Sequence, residues 1–409
     1  MPSGAAAVFP SADNSGRCVT GAAEAVAKAN ALVERLRSRA AEVDAERRIS
    51  DESIAEINDA GLFRISAPRM FGGSQLGISP LIQTVATIAT GCGSTGWVYA
   101  VLSGHNWAVG LFPIEAQREV FSDPDALVAS IVRLGGAAPK KVADGHLFEG
   151  AAGKFCSGIE HAKWIMAGAS VASPSDAPEP RYFLIPKSEV EIVDDWYTAG
   201  LRGTRSSSLR IKHAFVPGHR SVSISEIAMG TAPGIKFHDS AVYRAPFPQI
   251  LPLPLAGVPI GLARAALHLY VNSYRDKLKS FAAEQIAEQS AVLARISDAH
   301  ADVEAAAALI FRDAADIDAT PDGSGVSELD RARYVRNAAY GANKCRYAVT
   351  RLFEASGGSA IYDTFELQRI WRDVNAAAAH NAFMRDKLDP AFGRALLGLP
   401  ASKFDRIGH

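Results

Sequence analysis

The spacing of apolar residues changes twice along this chain, and that double change excludes most architectures. Near the start, Val26, Ala29, Val33, Leu36, Ala40 and Val43 recur at steps of three and four, the period of an amphipathic helix. Further helices are predicted over 51–60, stopped by Gly61, and over 79–89, 94–110 and 115–120. From Ala126 to Pro217 the apolar runs shorten and turn residues intervene. Segments 128–132, 140–148 around an Asp144-Gly145 turn, 163–171, 181–185, 191–196 and 209–215 are predicted strands. Beyond Pro259 the helical period returns over 260–279, 285–310, 329–352 and 365–384, with 321–325 as a linker. The predicted organisation is therefore a flexible start (1–20), an N-terminal helical domain (21–123), a central β domain (124–235) and a C-terminal bundle of long helices (236–409). Helices, then strands, then helices is an α+β order. It is not the alternation that winds a parallel sheet.

Glycine-rich stretches test that exclusion. Gly91-Cys92-Gly93-Ser94-Thr95-Gly96 fits G-x-G-x-x-G by letter, but it lies between predicted helices with no strand before it, so a Rossmann phosphate turn is not expected. Charge narrows the partners. The chain has 409 residues with 43 Lys plus Arg against 44 Asp plus Glu, a formal net charge of −1, which offers no electrostatic basis for nucleic acid or anionic lipid. Its four cysteines, Cys18, Cys92, Cys156 and Cys345, form no CxxC pair, neither His105 nor His380 has a carboxylate or second histidine three or four residues on, and the other histidines form no better ligand set, so no metal site is expected. Neither a signal peptide nor a membrane span is predicted, and the cytoplasm is the expected location.

Several residues have the chemistry of a binding or catalytic site. His105 and His380 lie on apolar helical stretches. His380 follows four alanines that leave room for a ligand beside the ring. Each is equally readable as a satisfied structural histidine. Ser157-Gly158 follows a predicted strand and could hydrogen-bond a cofactor edge or simply turn the chain. Thr204-Arg205-Ser206-Ser207-Ser208 gathers hydroxyls and amides that could hold a phosphate or fill a polar turn. Arg275, Arg369 and Arg372 could bind an anion, and the competing account for Arg372 is an ion pair with Asp373. Gly357-Gly358 permits close backbone approach or ends a helix. No hydrolase triad and no acid–base pair emerges.

Four stretches together carry a resemblance. They are Gly61-Leu62-Phe63 with Pro68 and Phe71-Gly72-Gly73; Phe155-Cys156-Ser157-Gly158 with His161 and Trp164; Ala199 to Thr204 leading to Phe215-Val216-Pro217; and Phe353 to Gly358 with Leu367-Gln368-Arg369-Ile370 and Arg372-Asp373. In this order the chain resembles the acyl-CoA dehydrogenase superfamily, and within it the two-component flavin-dependent monooxygenases that hydroxylate 4-hydroxyphenylacetate and related phenols. The resemblance implies an N-terminal helical domain, a central β-barrel domain and a C-terminal four-helix bundle, assembled as a homotetramer. It implies that Ser157 and Gly158 contact the flavin N5 edge. Thr204, Arg205 and Ser206 would lie near the flavin, Arg275 would reach its phosphate, and Gly357-Gly358 would serve a neighbouring subunit's site. Relatives commonly carry glycine where this chain has Arg205.

The choice within the superfamily turns on one base. A dehydrogenase needs a carboxylate to take the substrate α-proton, in its family position shortly after Arg372-Asp373 or on an earlier helix. Here 374–384 and 251–266 contain neither Asp nor Glu, whereas His380 is present. The expected activity is therefore a monooxygenase. It would take reduced FMN (FADH2 as the alternative) from a separate NAD(P)H-dependent flavin reductase. With O₂ it would form a C4a-hydroperoxyflavin and hydroxylate a small, phenolic aromatic substrate. Ser157, His105 and His380 are the expected catalytic residues, the histidines orienting or activating the substrate hydroxyl. The rival readings are an acyl-CoA dehydrogenase-like oxidoreductase and a noncatalytic helical interaction protein.

Overall fold

A computed structural model of the chain describes residues 17–172, 178–245, 250, 252–279, 285, 289–320 and 326–400. Five helices come first: α1 (Ala22–Glu46), α2 (Asp51–Asp59), α3 (Ile78–Gly91), α4 (Gly93–Val109) and α5 (Ile114–Phe121). The chain is already anchored at Arg17, which pairs with Asp59 and Asp125, and Val19 is buried. Ser50 caps α2 by accepting the Ser53 N–H at 3.2 Å. Gly61 ends that unit at φ 77°, with the Arg17 carbonyl 2.1 Å from where a Cβ would stand, so only glycine fits. The glycine-rich 91–96 segment is a junction between α3 and α4, bent at Cys92 and not preceded by a strand.

Nine strands follow: β1 (Val128–Ile131), β2 (Gly135–Gly136), β3 (Lys140–Val142), β4 (Gly145–Cys156), β5 (Trp164–Val171), β6 (Glu179–Pro186), β7 (Glu191–Val193), β8 (Ser207–Pro217) and β9 (Ser221–Ser223). They form two sheets, ordered β1-β5-β6-β9 and β2-β4-β8-β7, with β3 also on β4. The expected barrel is not closed. No strand pairing joins the two sheets among the described residues, because β1, β9, β2 and β7 each end a ladder. The sheets meet through side chains instead, as where Phe148 of β4 packs edge-on against Phe183 of β6 at 5.0 Å. The Asp144 turn joins β3 to β4 as an antiparallel hairpin.

Six more helices follow among the described residues: α6 (Ile224–Ala228), α7 (Pro252–Leu278), α8 (Ser290–Asp318), α9 (Glu328–Ala355), α10 (Glu366–Ala378) and α11 (Arg385–Leu396). Helix α7 begins well before the predicted start. Pro252 and Pro254 lie near the N-terminal end of this range, and Pro259 lies inside the helix. Helix α7 is long and apolar enough to cross a membrane by composition, yet most of that stretch is buried inside the protein. Gly257 and Gly261 let it lie against α3: a Cβ on Gly261 would stand 2.2 Å from the Ala86 carbonyl. The predicted 365–384 helix is really two, broken at Ala379-His380. The 321–325 linker lies outside the described residues.

One cap crosses between domains. Helix α3 has no side-chain cap of its own. Asp318, the last residue of α8, accepts the Ile78 N–H at 2.7 Å and the Ser79 N–H at 2.9 Å. Asp318→Ala is expected to lower unfolding stability by about 2 kcal/mol, read from urea midpoints, because two helix-end donors lose a charged acceptor.

Candidate active site

Strand β4 delivers Ser157 to the end of the sheet. A bulge between Gly153 and Cys156 shifts the register against β8, and Phe155 takes the left-handed region at φ 68°. The turn that follows is fixed by Gly158, at φ 70°, where a Cβ would press on Val98 and Leu102 of α4. The Gly158 N–H donates to the Thr204 carbonyl at 3.1 Å, tying this turn to the 199–206 loop. The hydroxyls then gather. Ser157 Oγ lies 2.7 Å from Ser206 Oγ, and Ser206 Oγ lies 2.8 Å from Thr204 Oγ1. Trp97, near the start of α4, donates its indole N–H to Ser157 Oγ at 3.1 Å.

The His380 ring packs edge-on against Trp97 at 5.3 Å between centroids. The break after α10 places it there. His380 caps the short turn that follows, its Nδ1 accepting the Ala382 N–H at 3.2 Å. A neutral ring that accepts at Nδ1 carries its proton on Nε2. That Nε2–H has no partner among the described residues. Desolvation lowers the His380 pKa to about 4. Yet the residue is exposed in the single chain. Trp97 and Phe383 crowd the ring on the protein side, and water reaches the rest of it. The direction of the shift follows from the crowding, and that water moderates its size.

Family models for the acyl-CoA dehydrogenase N-terminal domain and the acyl-CoA dehydrogenase C-terminal domain match residues 24–124 and 253–385. The chain is 32% identical over 372 residues to the "flavin-dependent monooxygenase, oxygenase subunit HsaA" of Mycobacterium tuberculosis, covering 90% of this chain and 94% of that one. It is 31% identical to the "FADH(2)-dependent resorcinol hydroxylase, oxygenase component" of Rhizobium sp., covering 91% and 94%. The crystal structure of 3-HSA hydroxylase from Rhodococcus sp. RHA1 superposes with a TM-score of 0.88 at 30% identity, covering 94% of this chain and 99% of that one. The chain belongs to the acyl-CoA dehydrogenase superfamily, among its flavin-dependent monooxygenase oxygenase subunits. It is an enzyme of that class.

Within this oxygenase subunit the other anticipated residues are placed differently. His105, on α4, is buried with both nitrogens engaged. Nδ1 faces the Val128 carbonyl at 2.9 Å, so it must carry the proton, and Nε2 takes the Ser130 hydroxyl at 2.9 Å. Desolvation pushes its pKa down to about 4, so it is a neutral link between α4 and β1. Arg205 is left-handed at φ 40°, a conformation that glycine adopts most readily. Its guanidinium lies 2.5 Å from Glu160 and 3.5 Å from Asp194. Arg275 is exposed and hydrogen-bonds only Asn272 among the described residues. Gly357, at φ 69°, and Gly358 form an exposed turn after α9. Neither Arg275 nor that turn shares a hydrogen bond with the Ser157 cluster in the single chain.

Three residues escaped the sequence reading. Trp97 was not singled out, although a tryptophan directly after Gly93-Ser94-Thr95-Gly96 was an available signal. Ser130 carried no signal. Asp44 is the partner of Arg372, at 3.2 and 2.8 Å, although 328 positions separate them. Asp373, by contrast, is buried and accepts the Leu201 N–H at 2.6 Å. Burial raises its pKa to about 6.

Proposed function

We propose that this chain is an oxygenase component that takes reduced FMN, or FADH2, from a separate NAD(P)H-dependent flavin reductase and uses O₂ to hydroxylate a small phenolic substrate. One juxtaposition carries the reading. The Ser157 hydroxyl and the His380 imidazole share Trp97 as their common contact, and no carboxylate is hydrogen-bonded to any of the three among the described residues. That 374–384 and 251–266 carry neither Asp nor Glu, while His380 lies beside Trp97, supports a hydroxylase over a dehydrogenase. A flavin, when bound, would supply the reducing equivalents and the ring at which O₂ is activated.

The chain supplies the rest. Ser157, with Gly158, Thr204 and Ser206 behind it, offers a polar edge that fits the N5 side of a flavin ring. Trp97 walls the space between that edge and His380. The His380 Nε2–H suits a phenolic oxygen: donating to it stabilises the ionised form and enriches the neighbouring ring carbons. His105 acts only through Ser130, whose half-buried oxygen keeps lone pairs for a substrate hydroxyl. The relative named as a resorcinol hydroxylase supports the phenolic class. Exposed Arg275, and exposed Ile361 and Tyr362 beside Gly357-Gly358, support a contribution across a subunit boundary in a homotetramer.

The test is a turnover assay with a flavin reductase, NADH, FMN or FAD and a panel of phenols and indoles. A hydroxylated phenol, formed only when the chain is present, is expected. Bleaching of bound oxidised flavin by an acyl-CoA, with no hydroxylated product, would replace this reading with the dehydrogenase one.

A further inference from the structure

Ser157 ends a chain of hydrogen bonds whose direction is set by a backbone carbonyl, in a loop held from another domain. The chain begins at Asp373 on α10, whose buried carboxylate accepts the Leu201 N–H at 2.6 Å. Leu201 stands at φ 51°, a left-handed conformation that leucine keeps only where its surroundings hold it. Arg372 holds the same loop by donating to the Ala199 carbonyl at 2.8 Å. So held, the Leu201 carbonyl receives Thr204 Oγ1 at 2.8 Å. A carbonyl only accepts, so the single Thr204 hydroxyl proton is committed there. Thr204 Oγ1 can then only accept from Ser206, 2.8 Å away. Ser206, having given its proton to Thr204, can only accept from Ser157, 2.7 Å away. Ser157 Oγ also receives the Trp97 indole N–H. What is left at Ser157 is one lone pair and no free proton.

Flavin N5 bears a hydrogen when reduced and is a bare acceptor when oxidised. We infer that Asp373, Leu201, Thr204 and Ser206 form an orienting chain that makes Ser157 an acceptor only, and thereby biases this site toward reduced flavin and against oxidised flavin. The inference rests on the assignment of Ser157 to the flavin N5 edge. Asp373 and Ser206 are positioning residues in it, acting through Ser157.

The test compares equilibrium dissociation constants for dithionite-reduced FMN under anaerobiosis and for oxidised FMN, without turnover. The wild type favours the reduced form. Ser206→Ala frees the Ser157 proton to point at the ligand, and the preference is expected to fall about ten-fold, the size of one hydrogen bond exchanged for an unmade one. Asp373→Ala lets Leu201 relax and lowers the preference likewise. Asp373→Asn keeps an acceptor oxygen in place and restores it. If Ser206→Ala leaves the ratio unchanged, or weakens both forms equally as a merely structural change would, the inference is overturned. Should Asp373→Ala fail to fold, Ser206→Ala decides alone, since it removes one oxygen from a small side chain. A wild type that binds neither redox form of FMN or FAD sinks the flavin reading itself, which is a distinct outcome.

Discussion

Replacing His380 with alanine is expected to cut product formation about a hundred-fold while oxygen consumption continues, the difference leaving as hydrogen peroxide. The ring does two things that alanine cannot. In the proposed reaction its Nε2–H donates to the substrate oxygen, and its ring packs edge-on with Trp97, 5.3 Å away between centroids. Without it the substrate oxygen loses its donor and water gains the space. Measured product per NADH, set against peroxide per NADH, separates this from simple inactivation; unchanged coupling removes His380 from the mechanism. The pH dependence follows from the same environment. Desolvation lowers the His380 pKa below that of a free imidazole, and even moderated by water this keeps the ring mostly neutral from pH 6 to 8. Product formation should therefore carry no His380 inflection between pH 6 and 8. An inflection near 6.5 that disappears in His380→Ala would show the ring acting as a titrating base, and the neutral-donor assignment would fall.

Much of this site was legible because it is built from local signals. Ser157-Gly158 follows strand β4, and the hydroxyl run from Thr204 to Ser208 leads into β8. Strands β4 and β8 are antiparallel neighbours, so the two signals meet at one end of one sheet. His380 was visible for another reason, since four alanines leave a space that needs an occupant. The same alanines hid the helix break, because their high helix propensity predicts continuation through His380. Whether a proline starts or interrupts a helix depends on which N–H groups lack acceptors, so the α7 start was misplaced. The partner of Arg372 was out of reach for a geometric reason. Adjacent residues on a helix do not face one another, so Asp373 turns to Leu201 while Arg372 finds Asp44 on α1. The open sheets were hidden too, since the spacing of strands along a sequence does not say whether the last one returns to the first.

The second large effect is expected at Gly200, a residue with no side chain to lose. A Cβ there would stand 2.2 Å from the Arg372 carbonyl oxygen, 2.4 Å from its carbon and 2.8 Å from the Asp373 nitrogen. All three are backbone atoms of α10, so no rotamer can relieve the clash. Gly200→Ala must push the loop off the helix. That separation breaks the Leu201–Asp373 hydrogen bond and leaves a buried carboxylate without its donor, which is the expensive part. A loss of about 3 kcal/mol in unfolding stability is expected from urea titration, with reduced FMN affinity falling as the loop moves. The matched comparison is Gly393→Ala in α11, where a Cβ meets nothing within 4 Å. There the same chemical change fills open space inside a helix and should be neutral or stabilising by up to about 1 kcal/mol. If both alanines behave alike, loop and helix do not approach as closely as the Arg372-Asp373 clamp requires. The orienting role of Asp373 would then lose its geometric footing, whatever flavin the site holds.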